Sequence, residues 1–262
     1  MNISSIGIMQ GRILPKYIDQ LQIFPTNTWH EELKAAEDIG FEHIELLWDS
    51  KQDIKKAKDL MQSLSKLSIL HAPSMCLDSI SSQTSSIDIF SEIKDALDTF
   101  MEDTPSILVI PLLGKATINN NIALKNFVNE INEHKISTLL KKYNIKLALE
   151  LDMPASEIIE ALNCSSSELI GICLDSGNLW HYSNNPIDDI LMLSSFIIHV
   201  HIKDRDSQGN NVLLGDGVVD FNMFLKALKN ISYSGLLTLE TKYFEDPPNE
   251  AKKNLQFIKG FL

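Results

Sequence analysis

The sequence predicts an α/β protein, a single (β/α)8 or TIM barrel with eight parallel strands over residues 1–262. Eight short apolar segments alternate with longer amphipathic segments along the chain. Its 262 residues match the roughly 250 that such a barrel needs and leave little for a second domain. An open doubly wound sheet is the competing architecture, but the count of eight and the lack of a GxGxxG motif after the first apolar segment favour the barrel.

The predicted strands are segments of five to seven residues that are rich in Ile, Leu and Val. Continuous apolar runs of this length are typical of parallel strands that are buried on both faces. The eight segments are Ser5–Met9, His43–Trp48, Leu67–His71, Ser106–Leu112, Ile145–Glu150, Leu169–Asp175, Phe196–His201 and Gly235–Glu240.

The segments between these strands repeat apolar residues at helical spacing. Trp29–Ile39 has apolar residues at 29, 33, 36 and 39, and Gly40 follows where a helix C-cap belongs. The helix Phe221–Ile231 is preceded by Asp220, a plausible N-cap. The other predicted helices are Asp53–Leu67, Ile87–Met101, Ala123–Tyr143, Pro154–Leu162, Pro186–Leu193 and Asn249–Leu262. This alternation predicts parallel strands joined by crossover helices.

The composition narrows the class of partner. A formal net charge of −12 opposes binding to nucleic acids, whose affinity depends largely on Lys and Arg contacts. The three cysteines form no CxxC pair, and their odd number argues against a disulfide framework. The first residues lack a signal-peptide pattern, and no apolar run reaches the roughly 18 residues of a membrane helix. We therefore expect a cytoplasmic protein that acts on a small molecule, without a nucleic-acid or membrane partner.

Four consecutive predicted strands end on a residue that can bind a metal ion: Glu150, Asp175, His201 and Glu240. Active residues in (β/α)8 barrels lie at the carboxyl ends of the strands. A buried charge is costly unless it is paired or coordinated. Each residue alone could instead cap a helix or pair with a lysine. Together they predict a site for one divalent ion, Mn²⁺, Mg²⁺, Co²⁺ or Zn²⁺.

Other polar residues near the predicted strand ends are candidates for substrate contacts. His199 should face inward like His201, one layer deeper, because side chains alternate along a strand. Backbone amides in the turn 215–217 could hold a phosphate. The candidates for the substrate shell are Gln10, Arg12, Glu45, His71, Lys203, Asp204 and Arg205. For His71 a structural role, and for Arg205 an exposed salt bridge, are the alternatives.

A series of motifs runs in order from the first predicted strand to the last. They are GIMQGR (7–12), the W…E…A…GFEHIEL stretch (29–46), LHAP (70–73), LALELD (147–152), GICLDSGNL (171–179), HVHIKDRD (199–206), LLGDGVVDF (213–221) and LLTLET (236–241). In this order they resemble the xylose isomerase-like TIM barrels, a superfamily of sugar isomerases, ketose 3-epimerases and endonuclease IV. GIMQGR followed by Phe24-Pro25 is similar to members described as sugar phosphate isomerases or epimerases.

The resemblance implies a metal site and a catalytic pair. It makes Glu150, Asp175, His201 and Glu240 the ligands of the ion, with Glu150 and Glu240 as the catalytic carboxylates. Many relatives carry DxxH at strand six, whereas this chain has Asn178 at the position of that histidine. Asn178 can hydrogen-bond a substrate hydroxyl but cannot carry a proton near neutral pH. His181, three residues later, is a possible substitute.

The function that this resemblance implies is a metal-dependent isomerase or epimerase of a sugar or sugar phosphate. Such an enzyme removes a proton next to a carbonyl and passes through an enediolate. A sugar-acid or polyol dehydratase of the same superfamily is the main alternative. An AP endonuclease is disfavoured by the charge and by the missing histidines at the fourth and sixth strands, and a non-catalytic ligand-binding barrel by the complete ligand set. Relatives often form dimers or tetramers, so a homo-oligomer is compatible with the sequence.

Overall fold

A computed structural model describes residues 5–14, 29–48, 71–83, 85–99, 106–164, 167–243 and 245–262. Its centre is a closed barrel of eight parallel strands, which confirms the predicted fold class. Each barrel strand pairs with its neighbour in the chain, and the last strand closes the barrel against the first, with Ser5 opposite Leu236. The barrel strands are β1 (Ser5–Met9), β2 (His43–Leu47), β3 (His71–Cys76), β4 (Ile107–Pro111), β5 (Lys146–Glu150), β6 (Ile170–Asp175), β7 (Ile197–Ile202) and β10 (Leu236–Leu239).

Helices surround the barrel, and a short antiparallel hairpin of β8 (Asp204–Arg205) and β9 (Asn211–Val212) follows β7. The helices are α1 (Trp29–Ile39), α2 (Ser86–Thr99), α3 (Asn121–Glu133), α4 (Ile136–Tyr143), α5 (Ala155–Leu162), α6 (Ser176–Tyr182), α7 (Pro186–Met192), α8 (Phe221–Asn230) and α9 (Pro247–Lys259). The predicted helix Asp53–Leu67 lies outside the described residues. None of the described helices is long and apolar enough to span a membrane.

Local signals in the sequence set several helix ends. Asp220 caps α8, since its side chain accepts a hydrogen bond from Met223 N at 2.9 Å. Gly40 follows α1 with a φ of +98°, a conformation that favours glycine. The predicted single helix Ala123–Tyr143 is wrong, because Lys135 adopts a left-handed φ of 62° and separates α3 from α4.

The third predicted strand ends too early. β3 spans His71–Cys76 and shares only His71 with the predicted strand, whose other residues, 67–70, lie outside the described part of the chain. The other seven predicted strands agree within one residue at each end. His71 is the first described residue of β3, is exposed, and lies beside His43 at the start of β2. This places His71 at the amino-terminal end of the barrel, opposite the carboxyl ends of the strands, and contradicts its predicted contact with substrate. Pro73 and Ser74 interrupt the apolar pattern, which hid the strand from a search for apolar runs.

Apolar side chains form two layers around the strands. A large cluster packs the outer faces of the strands against the helices. A smaller cluster fills the barrel interior and contains Met9, Leu47, Cys76, Ile107, Val109, Ala148, Cys173 and Leu236. Small residues in this interior leave room for larger polar ones, since a Cβ on Gly7 would overlap the ring of His43. The interior therefore holds polar side chains below the strand ends.

The loop after the hairpin closes around an internal carboxylate. Asp204 is fully buried, and its Oδ2 accepts hydrogen bonds from Gly215 N at 2.9 Å and Gly217 N at 3.0 Å. Its Oδ1 accepts from Arg205 N at 2.9 Å and Val219 N at 3.2 Å. The turn amides thus bind Asp204, so the predicted phosphate site in this turn is wrong. The predicted contact of Asp204 with substrate is wrong for the same reason.

We expect D204A to lower the free energy of unfolding by about 2–4 kcal/mol. Four backbone amides would lose their acceptor, and hydrogen bonds to charged groups contribute about 1.5–3 kcal/mol each before the loop relaxes. Urea denaturation measures this change. D216A, at an exposed aspartate of the same turn, is the matched control and should stay within about 0.5 kcal/mol of the unsubstituted chain. Equal stability of the two variants would show that the hydrogen bonds to Asp204 do not stabilise the loop.

Candidate metal centre

Four side chains converge at the carboxyl ends of neighbouring strands. Glu150 ends β5, Asp175 ends β6, His201 lies near the end of β7, and Glu240 directly follows β10. One ligand atom from each lies within 4.8 Å of the others, and all four residues are buried. The structure therefore brings together the four residues that the strand ends predicted.

The register of the sheet explains this convergence. Asp175 is the Cα partner of His201 on the adjacent strand, so both side chains emerge at the same level. Glu150 lies at the end of the next strand along and shares their parity. The backbone N of Glu240 donates to Ile202 O at 3.0 Å, which holds Glu240 beside β7 after regular pairing ends.

The ring of His201 has one nitrogen directed into this cluster. Nδ1 lies 3.2 Å from Glu240 Oε2 and 3.8 Å from Glu150 Oε2, and it makes no hydrogen bond within the described residues. The other nitrogen, Nε2, lies 2.9 Å from Glu45 Oε1. A buried nitrogen facing carboxylate oxygens is favourable when a cation or proton lies between them. The donor set, three carboxylates and one imidazole, thus fits a divalent ion such as Mn²⁺, Mg²⁺, Co²⁺ or Zn²⁺.

Two cationic side chains contact the same carboxylates. Lys203 Nζ lies 3.1 Å from Asp175 Oδ2 and 3.0 Å from Glu240 Oε2, and Lys203 is buried. Arg12 Nη2 lies 3.4 Å from Glu240 Oε1. The sequence placed Lys203 in a loop beyond β7, but its ammonium reaches back into the carboxylate cluster. These cations offset part of the negative charge that the barrel buries here.

The two glutamates differ in their proton affinity. Burial raises the pKa of Glu150 to about 8, and the nearby charge of Glu240 adds to this effect. Burial acts in the same direction on Glu240, but Lys203, His201 and Arg12 outweigh it and hold the pKa of Glu240 below its usual range. Burial disfavours the charge of Lys203, yet the surrounding carboxylates raise its pKa above the ordinary value. Glu240 is therefore ionised near neutral pH, and Glu150 can hold a proton.

Asn178 orients two members of the cluster. Its backbone N donates to Asp175 Oδ1 at 2.7 Å, which makes Asp175 the N-cap of α6. Its side-chain Nδ2 donates to Glu150 Oε1 at 3.0 Å. Asn178 Oδ1 is buried without a hydrogen bond within the described part of the chain, so the amide oxygen remains available to a substrate hydroxyl.

Comparison with known proteins identifies the family. Residues 33–261 match the model of the xylose isomerase-like TIM barrel. The chain belongs to this family. Over 155 aligned positions the chain is 29% identical to an uncharacterized protein of Methanocaldococcus jannaschii, with 52% of this chain and 51% of that protein covered. Over 277 aligned positions the chain is 27% identical to L-ribulose-5-phosphate 3-epimerase of Escherichia coli, with 96% of each covered.

Solved structures of xylose isomerase-like barrels share the fold over almost the whole chain. A D-allulose 3-epimerase from Methylomonas sp. in complex with D-allulose superposes with a TM-score of 0.73 at 18% identity, covering 98% of this chain and 97% of that one. An IOLI protein with a bound zinc atom also gives a TM-score of 0.73, at 17% identity, covering 98% and 99%. At these identities the likeness concerns the fold alone.

Two of the predicted substrate residues lie in elements that follow the sixth and seventh barrel strands of this xylose isomerase-like barrel. His181, on α6, is exposed, and its ring packs against Gly209 in the hairpin loop. Arg205 is half-buried, and its Nη1 contacts Gly209 O at 3.4 Å. Both side chains therefore border the site from the same side, where contact with a substrate stays a prediction.

Two other predicted substrate residues have different positions. The side-chain oxygen of Gln10 accepts from Leu47 N at 3.1 Å, and its backbone N donates to Glu45 O at 2.9 Å, so Gln10 joins the ends of β1 and β2. Glu45 is fully buried below His201, and its predicted place at the substrate rim is wrong. Glu45 faces the barrel interior, as does Leu47, which is two residues nearer the carboxyl end of β2. The carboxylate of Glu45 therefore lies one layer below the strand ends.

The sequence analysis missed a group of polar residues inside the barrel. Ser176 Oγ accepts from Lys203 N at 2.9 Å and donates to Lys203 O at 2.7 Å, which ties α6 to β7. Deeper in the barrel, His43 Nε2 lies 2.9 Å from Thr238 Oγ1. Thr238 precedes Glu240 by two residues, so strand alternation could have revealed that it faces inward.

We expect H201Q to weaken Mn²⁺ binding by at least about 10-fold, because the imidazole would be a direct ligand in the proposed site. Even the loss of a residue that only hydrogen-bonds to a metal ligand typically costs about 10–100-fold in metal affinity. Isothermal titration calorimetry of protein first stripped with a chelator measures the dissociation constant.

H181Q makes the same substitution at an exposed histidine beside the site and should change the Mn²⁺ dissociation constant less than threefold, a bound set by the small effect of surface changes. The metal assignment fails if H201Q binds Mn²⁺ as tightly as H181Q does.

Proposed function

We propose that this chain is a metal-dependent epimerase or isomerase of a ketose, with a phosphorylated ketose as the preferred substrate. The observation that carries the proposal is the pair of buried glutamates, Glu150 and Glu240, whose carboxylates both face His201 Nδ1. The relative matched over 96% of both chains is named a 3-epimerase of a ketose phosphate, which agrees with this chemistry.

Glu150, Asp175, His201 and Glu240 would hold the divalent ion. When bound, such an ion acts as a Lewis acid that polarises a carbonyl and stabilises negative charge on neighbouring oxygens. Zinc in a structural neighbour of the same fold supports the presence of an ion.

The two glutamates would carry the protons. Epimerisation next to a carbonyl removes a proton from one face of a carbon and returns one to the other face. The electron pair of the broken C–H bond moves towards the carbonyl oxygen and leaves the substrate as an enediolate. Glu150 and Glu240 lie on the two sides of His201 Nδ1, so one is suited to accept the proton and the other to return one. For the reverse epimer the two roles exchange.

Neighbouring side chains keep this pair in place. Asn178 holds Glu150 Oε1, and Lys203 holds Glu240 Oε2, so each carboxylate has one oxygen fixed by a hydrogen bond or ion pair. The Lys203 ammonium would also stabilise negative charge that develops on the substrate oxygens. Asn178 cannot move a proton, which leaves proton transfer to the glutamates.

Arg12 supports a substrate with an anionic end. It is buried, its Nη2 contacts Glu240 Oε1 at 3.4 Å, and its Nε and Nη1 make no hydrogen bond within the described residues. A guanidinium so placed can donate two parallel hydrogen bonds to a phosphate. The solved complex with D-allulose concerns an unphosphorylated ketose, so the phosphate preference needs its own test.

The proposed reaction is tested by hydrogen exchange. Mn²⁺-loaded protein incubated in D₂O with a panel of ketopentose 5-phosphates and free ketoses should introduce deuterium at a carbon next to the carbonyl and yield the epimer or isomer. E150Q and E240Q should lower this rate by about 10²–10⁴-fold, the usual contribution of a general acid or base. E168Q, at an exposed glutamate, is the control. No exchange across the panel would refute the proposal, and loss of water instead would indicate a lyase.

The role of Arg12 predicts a difference between substrates. R12Q should lower kcat/KM about 100-fold for the phosphorylated ketose, the loss expected when about 3 kcal/mol of buried charged hydrogen bonding is removed. For the free ketose, kcat/KM should fall less than tenfold, because this substrate has no phosphate to which Arg12 could hydrogen-bond. R205Q makes the same substitution at the half-buried arginine of the hairpin, and its kcat/KM for both substrates is compared with that of R12Q. Equal losses on both substrates would show that Arg12 acts through Glu240 and not on a phosphate.

A further inference from the structure

We infer that Glu45 is a positioning residue that fixes the ring of His201 so that Nδ1 faces Glu150, Asp175 and Glu240. This inference rests on the proposed metal site and concerns a residue outside it. Glu45 is fully buried one layer below the four candidate ligands. Its Oε1 lies 2.9 Å from His201 Nε2.

The same carboxylate is held from two other sides. Glu45 Oε2 lies 2.5 Å from His199 Nε2 and accepts from Ser74 Oγ at 2.9 Å. Ser74 is the Cα partner of Glu45 on β3, so it fixes the carboxylate from within the sheet. The side chain then reaches across the barrel interior from β2 to β7. A carboxylate with three partners cannot rotate freely, and it sets the orientation of the rings that it contacts.

The hydrogen bond also decides where the proton of His201 lies. An ionised carboxylate only accepts hydrogen bonds, so the imidazole nitrogen facing Glu45 must carry the hydrogen. In neutral His201 this is Nε2, and the lone pair is then on Nδ1. Nδ1 is the nitrogen that lies 3.2 Å from Glu240 Oε2 and 3.8 Å from Glu150 Oε2. Carboxylate–histidine pairs of this kind orient metal-ligating imidazoles in other proteins.

A second possible ligand group makes this choice consequential. Cys173, His199 and His201 also offer ligand atoms within 4.8 Å of one another, and the group is buried inside the barrel. Both groups share His201. Because Glu45 engages Nε2 of both rings, each ring can offer only Nδ1 to a metal ion, and Nδ1 of His201 faces the carboxylates of Glu150 and Glu240. Glu45 therefore presents the lone pair of His201 to the oxygen-rich group above it.

The inference is tested with E45A and E45Q. Nitrogen-15 NMR of the metal-free protein, recorded at a pH high enough for His201 to be neutral, should show hydrogen on Nε2, and E45A should give a mixture of tautomers. Calorimetry should show Mn²⁺ binding weakened about 10–100-fold in E45A, the usual cost of losing such a partner. E45Q keeps the side-chain volume and one accepting oxygen, for which His199 and His201 compete. We therefore expect it to lie between E45A and the unsubstituted chain in both measurements.

E42Q is the matched control, since Glu42 is exposed and its side chain accepts from Ile6 N, away from His201. It should retain the His201 tautomer and Mn²⁺ affinity within threefold, a bound typical of a change that leaves the ligands in place. Unchanged Mn²⁺ affinity and tautomer in both Glu45 variants would overturn the inference. So would a sulfur-to-cobalt charge-transfer band in the Co²⁺-loaded unsubstituted protein that C173S abolishes. If the unsubstituted chain binds no divalent ion, the metal proposal fails, whereas the NMR comparison still tests the effect of Glu45 on His201.

Discussion

The constraint on which this molecule depends is the burial of three carboxylates within one small volume at the end of the barrel. Glu150, Asp175 and Glu240 offer atoms within 4.8 Å of one another, and like charges at this distance are unfavourable in a site of low polarity. Lys203 and Arg12 offset part of this charge. The mutual repulsion of the carboxylates is thus the same property that, in the proposed site, would favour a bound divalent ion.

Below that level, the barrel interior is organised as a support for the site. Glu45, Ser74 and His199 form a hydrogen-bonded layer in a region where most barrels are filled with branched apolar residues. Such a layer is stable only when its members satisfy one another, because unpaired polar groups in this environment are costly. Small residues, of which Gly7 is one, provide the space that the imidazole rings require. Packing inside the barrel and chemistry at its end therefore constrain each other.

The sequence predicts much of this arrangement, because strand order and side-chain alternation are local properties. Glu150, Asp175, His201 and Glu240 could be placed together from their positions at strand ends alone. β3 could not be located, because Pro73 and Ser74 interrupt its apolar pattern, and Ser74 is a polar residue that faces the barrel interior. The position of Glu45 depends on contact with His199 and His201, 154 and 156 residues away along the chain, which no spacing rule reveals. The burial of Lys203 and Asp204 likewise depends on distant partners.

The hydrogen bonds that backbone amides donate to Asp204 affect how this barrel could acquire new specificity. In many (β/α)8 enzymes the loops after the seventh and eighth strands present their amides to a phosphate. Here Gly215 N and Gly217 N are already bound to a carboxylate of the same chain. These two amides are therefore not available to an anionic substrate, which in the proposed reaction would meet Arg12 after the first strand. Substitutions at Arg12 would then change the preference for a charged substrate while the hydrogen bonds to Asp204 stay intact, so selectivity and loop stability could evolve separately.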